Sequence, residues 1–216
     1  MLKELKKKIT TNHTATETEP LIRFFYGVVG AGKTAKLLHD SLDNDELTVY
    51  VLPEQSSKDI IATKRHLFSD DPQITITPDI IYGDCNSEGH AKLFDLIYND
   101  PKVEKVVIDD IHFLTADDIW NITTACRDTN TKLDCYGLLT SFRNEVFPGS
   151  YELIDQTDEI NCIEKQCDFF GCFETASYNS LLKQPTTPKS NVLPDGDYTA
   201  FCPTHRNLFR EEGLIE

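Results

Sequence analysis

Eight consecutive residues carry the clearest chemistry in this chain: Gly27-Val28-Val29-Gly30-Ala31-Gly32-Lys33-Thr34. They satisfy G-x-x-x-x-G-K-[ST] at every fixed position, the pattern that cradles the phosphates of a nucleoside triphosphate. Gly27 and Gly32 let the backbone turn tightly, so that successive N–H groups face phosphate oxygens, and Gly30 lies within the same turn. Lys33 has the reach for the β- and γ-phosphates, and the Thr34 hydroxyl completes a Mg²⁺ shell. A helix opening here adds the positive end of its dipole. The bland alternative is a glycine-rich turn with no ligand.

A second constellation is Asp109-Asp110, directly after the apolar run Val106-Val107-Ile108. An acid at the end of a sheet strand can hold a Mg²⁺ shell, which suits Asp109. A neighbouring acid can orient or deprotonate an attacking hydroxyl, which suits Asp110. The alternative is that one of the two only caps a turn. The third constellation is Cys167 and Cys172, followed some thirty residues later by Cys202-Pro203-Thr204-His205. Two short pairs joined by a long loop are the spacing of a tetrahedral structural Zn²⁺ site, and a module with little core gains most from such a clip. The alternative is three reduced thiols and a surface histidine. Cys162 reads as a non-ligand, and Cys85, Cys126 and Cys135 as reduced core thiols.

These groups need elements to hold them. Leu21–Tyr26 reads as a buried strand before the glycine loop, and Lys33–Leu38 as a helix opening that ends at the Asp43-Asn44-Asp45 turn. Thr48–Leu52 is a second strand, closed by Pro53, and Ile74–Thr77 a third, stopped by Pro78. Residues 87–99 carry apolar side chains at helical spacing. Thr115 reads as the N-cap of a helix running to about Asp128, with Asp118 three residues on. Lys132–Leu138 is a further strand. Strands alternating with helices imply βαβ units and a mostly parallel sheet, with ligands at the carboxyl ends of the strands. The glycine loop and the acid pair both fall at such ends. The expected organisation is a polar, lysine-led tail over 1–20, an α/β nucleotide-binding domain over 21–159, and a small cysteine-bearing module over 160–216.

A net charge of −15 on 216 residues argues against duplex DNA as a partner, since phosphate contacts dominate that affinity. It leaves nucleotide binding open, because that needs only a local positive site. No apolar run approaches a membrane span, and no apolar segment follows the basic start as a secretory signal requires. The reading is a cytoplasmic protein with reduced cysteines.

In this order, the elements resemble the type II thymidine kinases, zinc-containing deoxynucleoside kinases with a phosphate-binding loop, over roughly residues 21–210. The most specific segment is Cys135–Ser150, similar to the loop that walls the nucleoside pocket in bacterial members. The resemblance implies a P-loop α/β fold with a small zinc-binding lasso module, ATP as donor, and a homotetramer. Lys33 and Thr34 then belong to the ATP site, Asp109 to the metal, and Asp110 to the place of a glutamate base acting on the sugar 5′-hydroxyl. Phe113 and Phe142 match aromatics around the base, and Tyr198 the lasso tyrosine within 173–201. Cys167, Cys172, Cys202 and His205 match the zinc ligands. The chain departs from the family in four places. Asp110 replaces glutamate, His112 replaces glutamine, and Val28-Val29-Gly30 replaces Pro-Met-Phe. Asp59-Ile60-Ile61 lacks the arginine of an Asp-x-Arg, although Lys64, Arg65 and His66 follow. The reading is an ATP-dependent kinase of a deoxynucleoside, thymidine first. The rivals are a degenerate relative that binds nucleotide or nucleoside without turnover, as sensor or subunit, and an ATPase acting on another macromolecule.

Overall fold

The computed structural model describes residues 21–42, 45–56, 58–62, 74–182 and 198–216. The tail over 1–20, the Asp43-Asn44 turn, Lys64, Arg65, His66 and the middle of the 173–201 segment lie outside them.

Six parallel strands form the central sheet, in the order β5-β2-β6-β7-β1-β8. They are β1 (Ile22–Tyr26), β2 (Thr48–Pro53), β5 (Ile80–Tyr82), β6 (Lys105–Ile108), β7 (Lys132–Gly137) and β8 (Glu159–Cys162). Alternation along each strand decides which face a side chain serves. Phe24, Val106, Ile108, Leu133 and Cys135 point to one core, where they meet α2 (Glu88–Asn99), α3 (Ala116–Thr129) and α4 (Pro148–Gln156). Phe25, Val107 and Tyr136 point to the other, where Leu37 and Leu38 of α1 (Lys33–Leu42) cover them. The result is a sheet sandwiched between helices.

The α3 cap forms as the sequence predicts. Thr115 Oγ1 accepts from the Asp118 amide at 3.1 Å, and Asp118 accepts from the Thr115 amide at 3.0 Å. Two local expectations change, and one helix has no counterpart in the sequence reading. The 74–77 run supplies only β4 (Thr75–Ile76), which pairs antiparallel with β3 (Ile61–Ala62) outside the main sheet. The strand that joins the sheet there is β5, beyond Pro78, and its three residues are too few to show a period. Helix α4 starts at Pro148, which sits at N1 where its missing N–H costs nothing. Cys85 is exposed, in the turn before α2, while Cys126 and Cys135 are buried as expected.

After β8 the chain leaves the sheet at the same end as the glycine loop. It builds a two-stranded antiparallel sheet from β9 (Tyr178–Leu181) and β10 (Tyr198–Phe201), then α5 (Pro203–Glu211). Cys167, Phe201, Cys202 and Ile215 form its small core.

Candidate active site and metal centre

The glycine loop follows β1 and the acid pair follows β6, with β7 between them. The loop closes that gap. Gly30 and Gly32 take φ of 70° and 91°, a backbone only glycine adopts freely, and the chain turns directly into α1. This delivers the Thr34 hydroxyl, in the first helical turn, to Asp109 Oδ2 at 3.0 Å. Asp109 is 1% exposed, and its Oδ1 is a buried oxygen with no partner among the described residues. A hydroxyl and an orphaned carboxylate oxygen are a donor set that suits Mg²⁺.

Asp110 sits at φ 54°, a left-handed conformation that turns its side chain away from the strand direction. Its Oδ2 accepts from Ser56 Oγ at 2.9 Å and pairs with Lys58 Nζ at 2.8 Å. Lys58 also holds Asp109 Oδ2 at 3.0 Å, so one ammonium clamps both acids. The clamp splits them. Burial and the charge of Asp110 push Asp109 up, against Lys58 and Thr34. Burial would raise Asp110 too, but Lys58, His112 and Ser56 outweigh it and hold it low. Asp110 is therefore the more acidic member of the pair.

Lys33 is buried, with Nζ 3.1 Å from the Gly27 carbonyl oxygen and 2.9 Å from that of Val28. Burial lowers its pKa to about 8; Asp110 and Asp109 oppose the shift, and Lys58 and Lys165 add to it. Lysine and acids thus share one electrostatic neighbourhood. His112 is buried as well, and burial pushes it down to about 4. Its Nδ1 accepts from the Leu138 amide at 3.3 Å, so it is a neutral ring anchoring the start of the 138–147 loop.

The 138–147 loop and the C-terminal module enclose a cavity of about 290 Å³ beside Gly27 and Val28. Tyr26, Leu139, Ile163 and Ala176 give it apolar wall, and Thr140, Asn144, Thr175, Ser177 and Asn179 polar groups. Asn179 also ties the pieces together: its Oδ1 accepts from the Val29 amide at 2.7 Å, and its Nδ2 donates to the Thr140 carbonyl at 2.7 Å. The three aromatics singled out by resemblance are not part of the lining. Phe142 is buried with Tyr198 against it, ring centres 6.1 Å apart, and Phe113 stacks near His112 at 4.4 Å.

Cys167, Cys172, Cys202 and His205 bring their ligand atoms within 4.8 Å of one another. The local reason is α5. Cys202 is its N-cap, Pro203 occupies N1, and His205 falls in the first turn, with Nδ1 3.2 Å from Cys202 Sγ. Phe169 stacks on the His205 ring at 4.0 Å and fixes its plane. Cys202 is pushed down to about 7, where burial is outweighed by hydrogen bonds from His205 and the other thiols. Three sulfurs and one nitrogen at this spacing fit a tetrahedral structural Zn²⁺. Cys162 is exposed and outside the cluster.

Comparison with known proteins agrees with this arrangement. A thymidine kinase family match covers residues 20–206. The chain belongs to the thymidine kinase family. Named relatives include the thymidine kinase of Coxiella burnetii, 26% identical over 87% of this chain and 95% of that protein. That of Francisella tularensis is 24% identical over 89% and 98%, and that of Zymomonas mobilis 25% over 84% and 93%.

Sequence reasoning missed Lys58. The absent arginine of the Asp-x-Arg directs attention to a replacement cation, but sequence offered Lys64, Arg65 and His66. The structure puts the clamp at Lys58, six residues before Lys64, where the chain turns back from β2 toward the acids. Asn179 carried no signal, since its partners are backbone groups 150 and 39 residues away.

Proposed function

We propose that this protein transfers the γ-phosphoryl group of ATP to the 5′-hydroxyl of thymidine, giving the 5′-monophosphate. The observation that carries the reading is the 3.0 Å contact between Thr34 and Asp109, with Asp110 as the next residue. The loop that grips a triphosphate meets the acids that a transfer needs.

In this reading, the loop amides and Lys33 receive the phosphates. A polyphosphate displaces the Gly27 and Val28 carbonyls from Lys33 and restores its full charge. Thr34 and Asp109 hold Mg²⁺, which supplies charge neutralisation at the phosphate oxygens. Asp110 orients the 5′-hydroxyl. Its hydrogen bonds fall on Oδ2, which leaves Oδ1 to take the proton. A carboxylate held low is a weak base, and that suits a loose transition state in which the proton leaves late. Aspartate is one methylene shorter than glutamate, and here it stands on a left-handed backbone. The nucleoside occupies the cavity beside Val28, whose volume is at the lower end of the range of about 300–1,000 Å³ for small-molecule sites. Phe142 and Tyr198 brace its wall.

Cytoplasmic location and a homotetramer belong to the same proposal. Reduced cysteines support the first. Trp120 on α3 and Tyr151 on α4, 55% and 67% exposed, support self-association. No helix among the described residues is long and apolar enough to cross a membrane.

The test is a panel of nucleosides with Mg²⁺ and ATP, read as 5′-monophosphate. Thymidine is expected to be the best acceptor. Product from no nucleoside, by a protein that still binds ATP, would favour the non-catalytic relative. Full activity in Asp110→Asn would remove Asp110 from the mechanism.

A further inference from the structure

Lys165 is used by none of the steps above. It lies three residues beyond β8 and two before Cys167, where the chain passes over the phosphate loop on its way to the metal cluster. Its Nζ is 3.2 Å from the Val29 carbonyl oxygen and 2.7 Å from Asp168 Oδ2, and its side chain is 16% exposed. The ammonium stands over Gly30: a Cβ at that position would be 2.9 Å from Nζ. The missing side chain is what lets the amine approach the loop.

Donor accounting makes this placement informative. An ammonium has three N–H groups. Val29 and Asp168 take two, and the described residues provide no third acceptor. The Val29 amide is already committed to Asn179 at 2.7 Å, so a backbone donor that could face a phosphate is spent. Lys165 reaches the same residue at its carbonyl, and its charge is felt at Lys33. Asp168 is itself fixed, by the Ala200 amide at 2.8 Å and Thr199 Oγ1 at 3.1 Å, both on β10 just before Cys202. The module that carries the metal cluster therefore holds the amine in place.

We infer that Lys165 is a third phosphate-binding cation of the triphosphate site, supplied by the C-terminal module and held over Gly30 by Asp168. When a polyphosphate arrives, the uncommitted N–H engages a phosphate oxygen on the Gly30 side of the loop. The inference rests on the reading of residues 27–34 as a triphosphate site.

The zinc-loaded full chain is titrated calorimetrically with ATP and with inorganic tripolyphosphate, and KM is measured separately for ATP and thymidine. Lys165→Met is expected to weaken both polyphosphates about tenfold, the scale of one charge-assisted hydrogen bond. KM for thymidine should stay within about twofold, because uniform binding to the other substrate is untouched. Lys165→Arg, which keeps the charge and donors, should recover most of the loss. Asp168→Asn, which keeps the amine but loosens it, should lose less. Zinc content and melting temperature are compared throughout, and if Lys165→Met does not fold, Lys165→Gln and Asp168→Asn carry the test. Unchanged tripolyphosphate binding in Lys165→Met would show only a strap between module and loop. An equal loss for thymidine would do the same. If the parent protein binds neither probe, the triphosphate reading itself fails, and that outcome is distinct from a Lys165 variant behaving like its parent.

Discussion

Two buried acid sites lie at opposite ends of the same sheet, and they are finished differently. Near the amino ends of the strands, Asp134 is met by Arg23 through Nε and Nη2, both at 2.6 Å, and by Lys105 at 2.7 Å. Both of its oxygens are satisfied. At the carboxyl ends, one lysine serves two acids, Asp109 Oδ1 has no partner among the described residues, and Lys33 rests on carbonyls. Asp109 and Asp134 are equally buried, each 1% exposed. What separates a structural ion cluster from the proposed site is the unfinished hydrogen bonding.

The comparison can be broken by substitution. Lys33→Ala should reduce kcat/KM for ATP roughly 10³- to 10⁵-fold with little loss of stability, as for other cations on a transferring phosphoryl group. Asp134→Asn should do the reverse. It leaves Arg23 and Lys105 uncompensated, at a cost of about 3–5 kcal/mol in denaturant unfolding, while activity per folded molecule holds. Asp109→Asn tests the unfinished end most sharply. It removes repulsion with Asp110, so stability should change by no more than about 1 kcal/mol, yet turnover should fall about 10²- to 10³-fold and demand more Mg²⁺. If Asp109→Asn destabilises the fold as much as Asp134→Asn, the distinction between the two ends is wrong.

A smaller effect concerns pH. His112 is held near 4 in the folded protein against 6.5 in the unfolded chain. The unfolded state therefore binds the extra proton first as pH falls. The stability from neutral His112 is whole above pH 6.5 and fades toward pH 4, about 3 kcal/mol across the span. His112→Asn, whose side-chain oxygen can still accept from Leu138, should flatten that profile. A profile unchanged by the substitution would assign the acid sensitivity to other groups.

The chemistry was more legible in the sequence than the elements that border it. The glycine loop, the acid pair and the cysteine pairs are local patterns, and each has a spacing that its chemistry dictates. The capping box at Thr115 and the buried strand Val106–Ile108 were readable for the same reason. Strand β5 was missed because three residues cannot display alternation, and α4 because Pro148 reads as a breaker unless it falls at N1. Lys58, Asn179 and Lys165 were invisible for a different reason. Their partners are far away in sequence, and a lone lysine or asparagine has no spacing to betray it. The cavity wall follows the same rule, being assembled from four separate stretches.

The strand that precedes the phosphate loop is also the one that waits longest for its neighbours. β1 lies between β7 and β8, and Arg23 meets Asp134 only 111 residues later. At typical synthesis rates of about 5–20 residues per second, the nascent β1 spends roughly 5–20 s with both edges bare. Its sequence, Ile-Arg-Phe-Phe-Tyr, is apolar and aromatic, the composition most prone to stray pairing. Arg23 is the single charge in that stretch, so during translation it guards against aggregation long before it closes the ion cluster.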